Sequence, residues 1–413
     1  MDRKAFLKGI AAGGIFAALS PVSPAAGKGS SLPFTKFEMK QRVFEAGKLY
    51  SVVVKFPESL RKKVENGFLT VVGDDGASDL DGSLFNKPVG TPLKFEVSGS
   101  TLRFDVKFGR EQGYCIRLFE REIPQETEAH KMPRPISIVH VYALEKDLLS
   151  LAPFRGDFHI HSTRSDGRNP PEEVALRCYE CGFDFQSISD HGRYRPSADM
   201  QKLFGKFDTS MAFYNAEECH YALPHWQKEI MGVPYYNQSP KMIWDEICRR
   251  KVFDVYEFVN YGCGDMSIAR AAINYAELRA QGIHYPIIGN SDAHRVEDQG
   301  SSYTVVFAKS NSMDDIKEAI MSRRSVAVAE FGYMDKTQKD FGRPARLAFG
   351  EDRFVRFAYF LFLHYFPYHS ESIAEEGKIL RDILLNKNES ESNLKRLSQC
   401  AEKSRKAYRE FVA

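Results

Sequence analysis

The sequence has few of the features that commit a chain to nucleotide, serine-triad or disulfide chemistry. It contains neither a G-x-x-x-x-G-K-[ST] loop nor a dinucleotide fingerprint, so nucleotide hydrolysis driven by a P-loop is unsupported. A G-x-S-x-G elbow is also missing, which disfavours Ser/His/Asp catalysis. The seven cysteines are odd in number and scattered, and they do not form a disulfide framework. Cys178-x-x-Cys181 lies in a helix-like run without a second such motif, which favours helix packing over a zinc or redox role.

An excess of charge of either sign is missing as well. The formal net charge is +2 over 413 residues, so nothing indicates a long polyanion held by charge alone. A nucleic-acid substrate would have to be recognised locally. The length is sufficient for two or three domains, and the sequence does not indicate an oligomeric state.

The first residues have the order of an export signal. The charged segment Asp2–Lys8 precedes an apolar run from Gly9 to Leu19, and small residues follow around Ala25. The start resembles a twin-arginine signal with Lys4 in the second position. The apolar run is short for a bilayer span. We therefore expect residues 1–30 to be an export signal and linker of a periplasmic or extracellular protein without a permanent span; an uncleaved tether is the alternative.

Residues 37–148 have the pattern of a small all-β sandwich. Short, mostly alternating apolar runs are separated by turn signals such as Asp74-Asp-Gly76. Such spacing is typical of a sandwich. Packing against a catalytic domain is the favoured role, and carbohydrate or partner binding is the alternative.

From about residue 152 to 331 strand-like runs alternate with helix-like runs, which indicates a parallel α/β architecture. Three of the strand-like runs end on histidine and aspartate: His159 and His161, then Asp190-His191, then Asp292 and His294. Residues two apart on a strand share one face. Active sites of α/β barrels are built where strands pass into loops. The pattern predicts a divalent metal centre of imidazole and carboxylate ligands, which suits Zn, Mn or Fe; packed or surface histidines are the alternative for one H-x-H alone.

The same residues carry a family resemblance. The sequence resembles the PHP (polymerase and histidinol phosphatase) metal-dependent phosphoesterases from about residue 154 to 330, through the motifs His159-x-His161-x4-Asp166-Gly167, Ser189-Asp190-His191, an acidic cluster at 217–218 and Asn290-Ser-Asp292-x-His294. The resemblance implies an irregular (β/α)7 barrel. Residues 352–413 are expected to be a helical extension, and part of it resembles the carbaryl-hydrolase-like branch. Its aromatics are interpreted as core, and His364 and His369 as structural.

The resemblance also implies roles for single residues. One metal would be held by His159, His161 and Asp292, and a second by Asp166 and His191, with Glu218 bridging them. His294 would complete a third site or contact the substrate. Asp190 is expected to orient a ligating imidazole, and we assign Asp190, His294 and Arg193 to catalysis.

One departure from the family concerns the segment after Glu218. Only seven residues separate Glu218 from His225, where the family has a long segment with further histidines. His225 is the preferred late ligand, with His220 as its substitute. Because this segment is short, the sequence leaves open whether the site binds two metals or three, or whether it is impaired.

These residues predict a hydrolase. Metal coordination lowers the pKa of water from about 15.7 toward about 7, and Arg193, Arg195 and Arg295 follow metal motifs, where guanidinium groups suit phosphate or carboxylate oxygens. We expect a phosphoesterase acting on a small molecule with metal-activated water. The alternatives are carboxyl-ester or carbamate hydrolysis, a 5'-3' exonuclease-like PHP protein, and a binding protein with a degenerate metal site.

Overall fold

A computed structural model of the chain describes residues 16–21, 37–74, 89–127, 131–218, 255–260, 271, 275–276, 279–331 and 345–412. The described residues divide into two compact units. One lies within Met1–Pro24 and Leu151–Ala407, and the other within Ala25–Ser150 and Tyr408–Ala413. In chain order, strand β1 (Phe16–Pro21) belongs to the first unit, and strands β2 to β9 belong to the second.

The second unit is built from two sheets with a shared apolar core. Its strands are β2 (Val43–Glu45), β3 (Leu49–Lys55), β4 (Phe68–Gly73), β5 (Thr91–Leu93), β6 (Phe95–Ser98), β7 (Thr101–Lys107), β8 (Gln112–Phe119) and β9 (Ser137–Leu144), with the short helices α1 (Arg61–Glu65) and α2 (Lys146–Leu149). One sheet has the order β2-β9-β8-β4-β5 and the other β3-β7-β6. Alternate residues such as Val52, Phe104 and Ile116 are buried in one core cluster, as the period of two predicts.

Most strands of this unit lie where the alternation predicts them. The sequence pattern missed β2 and β9, however, which pair in parallel. One of the alternating apolar runs, residues 93–97, contributes to two strands, β5 and β6, which belong to different sheets. Alternation alone does not show that a chain passes from one sheet to the other within a short segment.

The first unit is a mixed α/β domain, as predicted. Its further strands are β10 (Ala152–Asp157), β11 (Phe185–Gln186), β12 (Ala212–Phe213), β13 (Tyr256–Asn260), β14 (Ile287–Asn290), β15 (Ser302–Ala308), β16 (Ser325–Phe331) and β17 (Ala345–Gly350). Its helices are α3 (Pro171–Glu180), α4 (Arg195–Phe204), α5 (Met313–Met321), α6 (Asp352–His364), α7 (Phe366–Leu385) and α8 (Glu391–Val412), the last of which ends in the other unit.

The main sheet is only partly parallel. Its order is β1-β17-β16-β15-β10-β11-β12, while β13 and β14 form a separate parallel pair. Strands β10, β11 and β12 run parallel, whereas β15, β16, β17 and β1 pair antiparallel. The expected parallel arrangement is therefore present in β10–β12 and in the β13–β14 pair, whereas the remaining pairs of the sheet are antiparallel. Among the described strands the pairing does not close into a barrel.

Strand β1 lies within the segment predicted to be an export signal. It pairs with β17 from Phe16 opposite Gly350 to Pro21 opposite Ala345. None of the described helices is both long and apolar enough to cross a membrane. The export signal remains a prediction.

The aromatic helix α6 packs as core, as the interruption of its apolar run by charges predicts. Phe354 and Phe357 are buried, and their rings stack on Phe307 of β15 with centroid distances of 5.4 and 5.7 Å. His369 of α7 is also buried, and its Nε2 lies 2.6 Å from Asp184 Oδ1. This contact joins the tail helix to Asp184 and agrees with the prediction that His369 is a structural residue.

Glu376 of α7 is a second buried anchor of the tail. Its Oε2 accepts a hydrogen bond from Ser210 N at 2.8 Å, and its Oε1 accepts from the hydroxyls of Ser210 and Ser404 at 2.7 Å each. Burial raises the pKa of Glu376, and these hydrogen bonds only partly offset that rise. Glu376 therefore takes up a proton more readily in the folded state than in the unfolded chain.

Replacing Glu376 with alanine is expected to lower the free energy of unfolding by about 2–3 kcal/mol, because buried donors lose their acceptor. Glu376→Gln keeps an acceptor and removes the charge. Since the folded pKa is raised, the native state binds the extra proton, and wild-type stability should fall as the pH rises from the ordinary pKa through the raised one. The Gln variant should lack this fall. Urea titrations from about pH 4 to about pH 8 measure both effects.

Glu375→Gln is the matched control, since Glu375 is exposed and contacts Lys378 at 3.2 Å. Its effect on stability should stay within about 0.5 kcal/mol. Identical pH profiles for wild type and Glu376→Gln would contradict the assignment.

Candidate metal centre

Four strand ends lie side by side and carry the chemistry of the site. Beyond β10 and β14 the chain continues the pairing: Asp292 N donates to His159 O, and His161 N donates to Ala293 O, both at 2.9 Å. Beyond β11 and β12, Glu218 N donates to Ser189 O at 3.1 Å. His191 and Glu218 form an isolated parallel β-bridge there. Residues far apart in sequence thus share one edge of the fold, as the motif positions predict.

The first group, which we call the buried cluster, consists of His159, His161, Glu218 and Asp292. Its side chains are at most 6% exposed. His159 Nε2 and His161 Nε2 lie 3.0 Å apart. Glu218 Oε2 lies 3.3 and 3.2 Å from these two nitrogens, and Asp292 Oδ1 lies 3.3 and 3.1 Å from them.

The second group, the rim cluster, consists of Asp166, His191 and His294. Asp166 Oδ2 lies 3.3 Å from His191 Nε2 and 3.1 Å from His294 Nε2. These side chains are 52%, 27% and 37% exposed, respectively. Glu218 Oε2 also lies 2.8 Å from His191 Nδ1, so this one oxygen contacts both clusters.

The donor atoms of the two clusters fit divalent ions. Ligand atoms of His159, His161 and Glu218 lie within 4.8 Å of one another, as do those of His161, Asp166, His191 and His294. Among the described residues, neither oxygen of buried Glu218 has a hydrogen-bond partner of good geometry. Lone pairs from two imidazoles and two carboxylates therefore face a common point, which is the arrangement a cation needs.

The imidazoles and carboxylates of the buried cluster shift the pKa values of one another. Burial alone would lower the pKa of His159, but the carboxylates of Glu257, Asp292 and Glu218 outweigh it and raise that pKa well above its ordinary value. The pKa of His161 is raised for the same reason. Burial would raise the pKa of Glu218 and Asp292, yet the two imidazoles hold both below their ordinary values. The imidazoles and carboxylates of the buried cluster therefore each favour the charged form of the other.

Two backbone features fix ligand positions. Asp292 has φ +52°, the left-handed region that aspartate tolerates better than most residues. This conformation is sparsely populated and is kept only where the surroundings demand it. A Cβ added at Gly167 would lie 2.5 Å from the carbonyl oxygen of His161. The Asp166-Gly167 turn therefore needs glycine to pass this close to the ligand strand.

Asp190 contacts the loop that follows His161. Its carboxylate accepts hydrogen bonds from Ser162 N at 2.7 Å, Ser162 Oγ at 2.6 Å and Ser165 Oγ at 2.6 Å. Ser165 Oγ in turn lies 3.5 Å from His161 Nδ1. Asp190 therefore fixes the loop after His161 and reaches an imidazole only through Ser165.

The carboxylate that directly contacts a ligand-type imidazole is Glu257, which the sequence analysis missed. Glu257 Oε1 lies 3.1 Å from His159 Nδ1. The signal available in the sequence was an acidic residue at the centre of the mostly apolar run Val255–Val259. A buried carboxylate needs a partner, but the run does not show which residue that partner is.

The three arginines predicted to bind substrate are exposed to solvent. Arg195 is 90% exposed, and its Nε lies 3.7 Å from Asp199 of its own helix. Arg193 and Arg295 are exposed on the loops that follow His191 and His294. Their role in substrate binding stays a prediction. His220 and His225 lie outside the described residues.

Comparison with known proteins adds family information for part of the chain. A PHP-associated family model matches residues 274–325. Over 56 residues the chain is 38% identical to DNA polymerase/3'-5' exonuclease PolX of Bacillus subtilis (strain 168); the match covers 14% of this chain and 10% of that protein. The chain thus spans about a tenth of the length of this curated relative.

Two solved structures are similar at lower levels. One is a two-domain protein containing a predicted PHP-like metal-dependent phosphoesterase from Bacteroides vulgatus ATCC 8482, with a TM-score of 0.30, 18% identity, and coverage of 43% of this chain and 65% of that chain. The other is PsfC from Pseudomonas syringae PB-5123, with a TM-score of 0.25, 13% identity, and coverage of 42% and 89%. The similarity to the PHP-associated family model is thus confined to residues 274–325 of this chain.

Proposed function

We propose that this chain is a PHP-type, metal-dependent hydrolase that cleaves phosphoester bonds in small molecules. One observation carries the proposal: Glu218 Oε2 lies within 3.3 Å of imidazole nitrogens of His159, His161 and His191. A carboxylate oxygen shared between a buried and an exposed group of ligands is suited to two adjacent ions, the arrangement used for in-line displacement at phosphorus.

Each of the two clusters would bind one metal ion. His159, His161 and Asp292 would hold one ion, Asp166 and His191 a second, and Glu218 would bridge them. When bound, such ions lower the pKa of a water and neutralise charge on the leaving oxygen. The ions would be Mn, Zn or Fe, and a third would need His294 and a residue such as His225.

Access to the site favours the rim as the place of substrate entry. The buried cluster is closed to solvent, whereas Asp166 is half exposed. His294 stands on this rim beside Asp166, where it can contact a substrate oxygen. Arg193, Arg195 and Arg295 would bind the anionic part of the substrate from the surrounding loops. Asp190 would act by holding the loop of Ser162 and Ser165.

A nuclease is the second candidate, favoured by the 56-residue similarity to PolX, which is named a 3'-5' exonuclease. The sequence-based alternative was a 5'-3' exonuclease, so the direction of cleavage is part of the test. Carboxyl-ester or carbamate hydrolysis rests on the resemblance of the tail, and a degenerate binding protein on the short segment after Glu218.

Further elements of the proposal come from the sequence. They include the irregular (β/α)7 barrel, export by a twin-arginine-like route and the limits of the sandwich, barrel and tail. Detecting the intact N-terminus on cytoplasmic protein would argue against export.

A substrate panel tests the function. Purified protein is supplied with Mn²⁺ or Zn²⁺ and offered aryl phosphomonoesters, phosphodiesters, carbamates, carboxyl esters and single-stranded DNA labelled at either end, with metal content measured on the same sample. Phosphoester turnover that disappears in His161→Ala is expected. Bound metal with every substrate at the His161→Ala background would overturn the enzyme proposal, and turnover of carbamates alone would replace phosphoesters as the substrate class.

A further inference from the structure

The Nδ1 side of His159 is held by a fully buried polar network. Glu257 is 4% exposed and lies on β13, and its Oε1 is 3.1 Å from His159 Nδ1. The opposite ring nitrogen, Nε2, is the one that faces Glu218 and Asp292. A proton on Nδ1 bonded to Glu257 would leave the lone pair on Nε2 directed into the buried cluster.

Two asparagines hold the Glu257 carboxylate in place. Asn290 Nδ2 donates to Glu257 Oε1 at 3.0 Å, and Asn260 Nδ2 donates to Oε2 at 3.2 Å. The orientation of the Asn290 amide is fixed, because its Oδ1 accepts the main-chain N–H of Phe158 at 2.9 Å. The atom at the Oε1 position therefore has to be an acceptor for both Asn290 and His159.

We infer that Glu257 is a positioning residue that sets the tautomer and ring orientation of His159 for metal binding. The inference rests on the proposed function, in which His159 is a ligand. Carboxylates that accept from the second nitrogen of a ligating imidazole increase its basicity, and their loss costs about 10-fold to 100-fold in metal affinity. Glu257 does not face the common point of the cluster itself.

The fixed Asn290 amide allows the charge and the acceptor to be separated. In Glu257→Gln the side-chain oxygen has to occupy the Oε1 position, and the amide group then faces Asn260, whose amide can turn to accept. This variant keeps the acceptor for His159 and loses only the negative charge. Glu257→Met has a similar length and loses the acceptor, so either tautomer of His159 becomes accessible.

The experiment titrates metal-stripped protein with Co²⁺ alone and records the visible absorption spectrum of the bound ion. We expect Glu257→Gln to weaken the tighter Co²⁺ site about 10-fold and Glu257→Met about 100-fold. The spectrum should change in Glu257→Met, because the His159 ring loses its fixed direction. Thermal unfolding of the metal-free proteins is measured in parallel.

Glu330→Gln is the matched control. Glu330 is another buried carboxylate, but it accepts from Tyr303 Oη at 2.8 Å and Arg346 Nε at 2.7 Å instead of from a cluster histidine. It should lower the unfolding temperature without changing the Co²⁺ affinity or spectrum.

The outcomes separate the two proposals. Wild-type affinity and spectrum in Glu257→Met, or in Glu257→Leu if the Met variant does not fold, would overturn the positioning role while leaving the metal centre intact. A loss of affinity in Glu330→Gln as large as that in Glu257→Gln would assign the effect to stability and overturn it as well. If wild-type protein binds no Co²⁺, the metal centre itself fails.

Discussion

Replacing Glu218 with alanine is expected to lower hydrolytic turnover about 10⁴-fold and to release both ions. One oxygen of Glu218 lies 3.3, 3.2 and 2.8 Å from nitrogens of His159, His161 and His191. Its removal takes away a carboxylate oxygen that lies within 3.3 Å of histidines in both clusters. The measurements are the metal content per chain and the turnover of the substrate that the panel identifies.

Glu217→Ala is the control for this variant. Glu217 is also buried and directly precedes Glu218, and successive side chains of an extended segment are expected to point to opposite sides. It should keep its metal and its turnover within a few-fold of wild type. Full metal content in Glu218→Ala, or loss of metal in Glu217→Ala alone, would move the bridging role to the neighbouring residue.

Replacing Asp292 with asparagine is expected to empty the buried cluster while leaving the rim cluster able to bind. Asp292 Oδ1 lies 3.3 Å from His159 Nε2 and 3.1 Å from His161 Nε2, so the variant loses a negative ligand. Asparagine tolerates the φ of +52° found here, and the backbone should not change. Affinity of the tighter site should fall about 100-fold, with about one ion per chain retained.

Asp292→Ala separates backbone strain from charge. Alanine at this φ is expected to cost a further 1–2 kcal/mol or so of stability, seen as a lower urea midpoint than that of Asp292→Asn. Both variants should lose the buried ion to a similar extent. If Asp292→Asn keeps wild-type affinity, the carboxylate does not bind the ion, and the conformation of this residue serves the fold alone.

The sequence was informative about the ligands because strand ends are local signals. H-x-H at a strand end, followed by a turn through Asp166 and Gly167, specifies which side chains share a face before any partner is known. The same holds for Asp292 and His294. Their joint position required only that the strands lie side by side, which the structure shows.

The partners of buried carboxylates were not accessible in this way. Asp190 was expected to orient a ligating imidazole, and its carboxylate accepts from Ser162 and Ser165. Glu257 was read as part of a buried strand and faces His159. Both are acidic residues in apolar runs, and only the neighbouring strands determine which donor each of them meets.

By itself the sequence determined the α/β and β-rich regions, the aromatic core of the tail and the set of imidazoles and carboxylates, because periodicity and composition act over a few neighbouring residues. Only the tertiary structure decided that the sheet is mixed and that Glu218 contacts both clusters. It also decided that Glu257, 98 residues from His159 in the chain, contacts that ring. These features depend on which strands become neighbours, a choice made by packing across the whole domain.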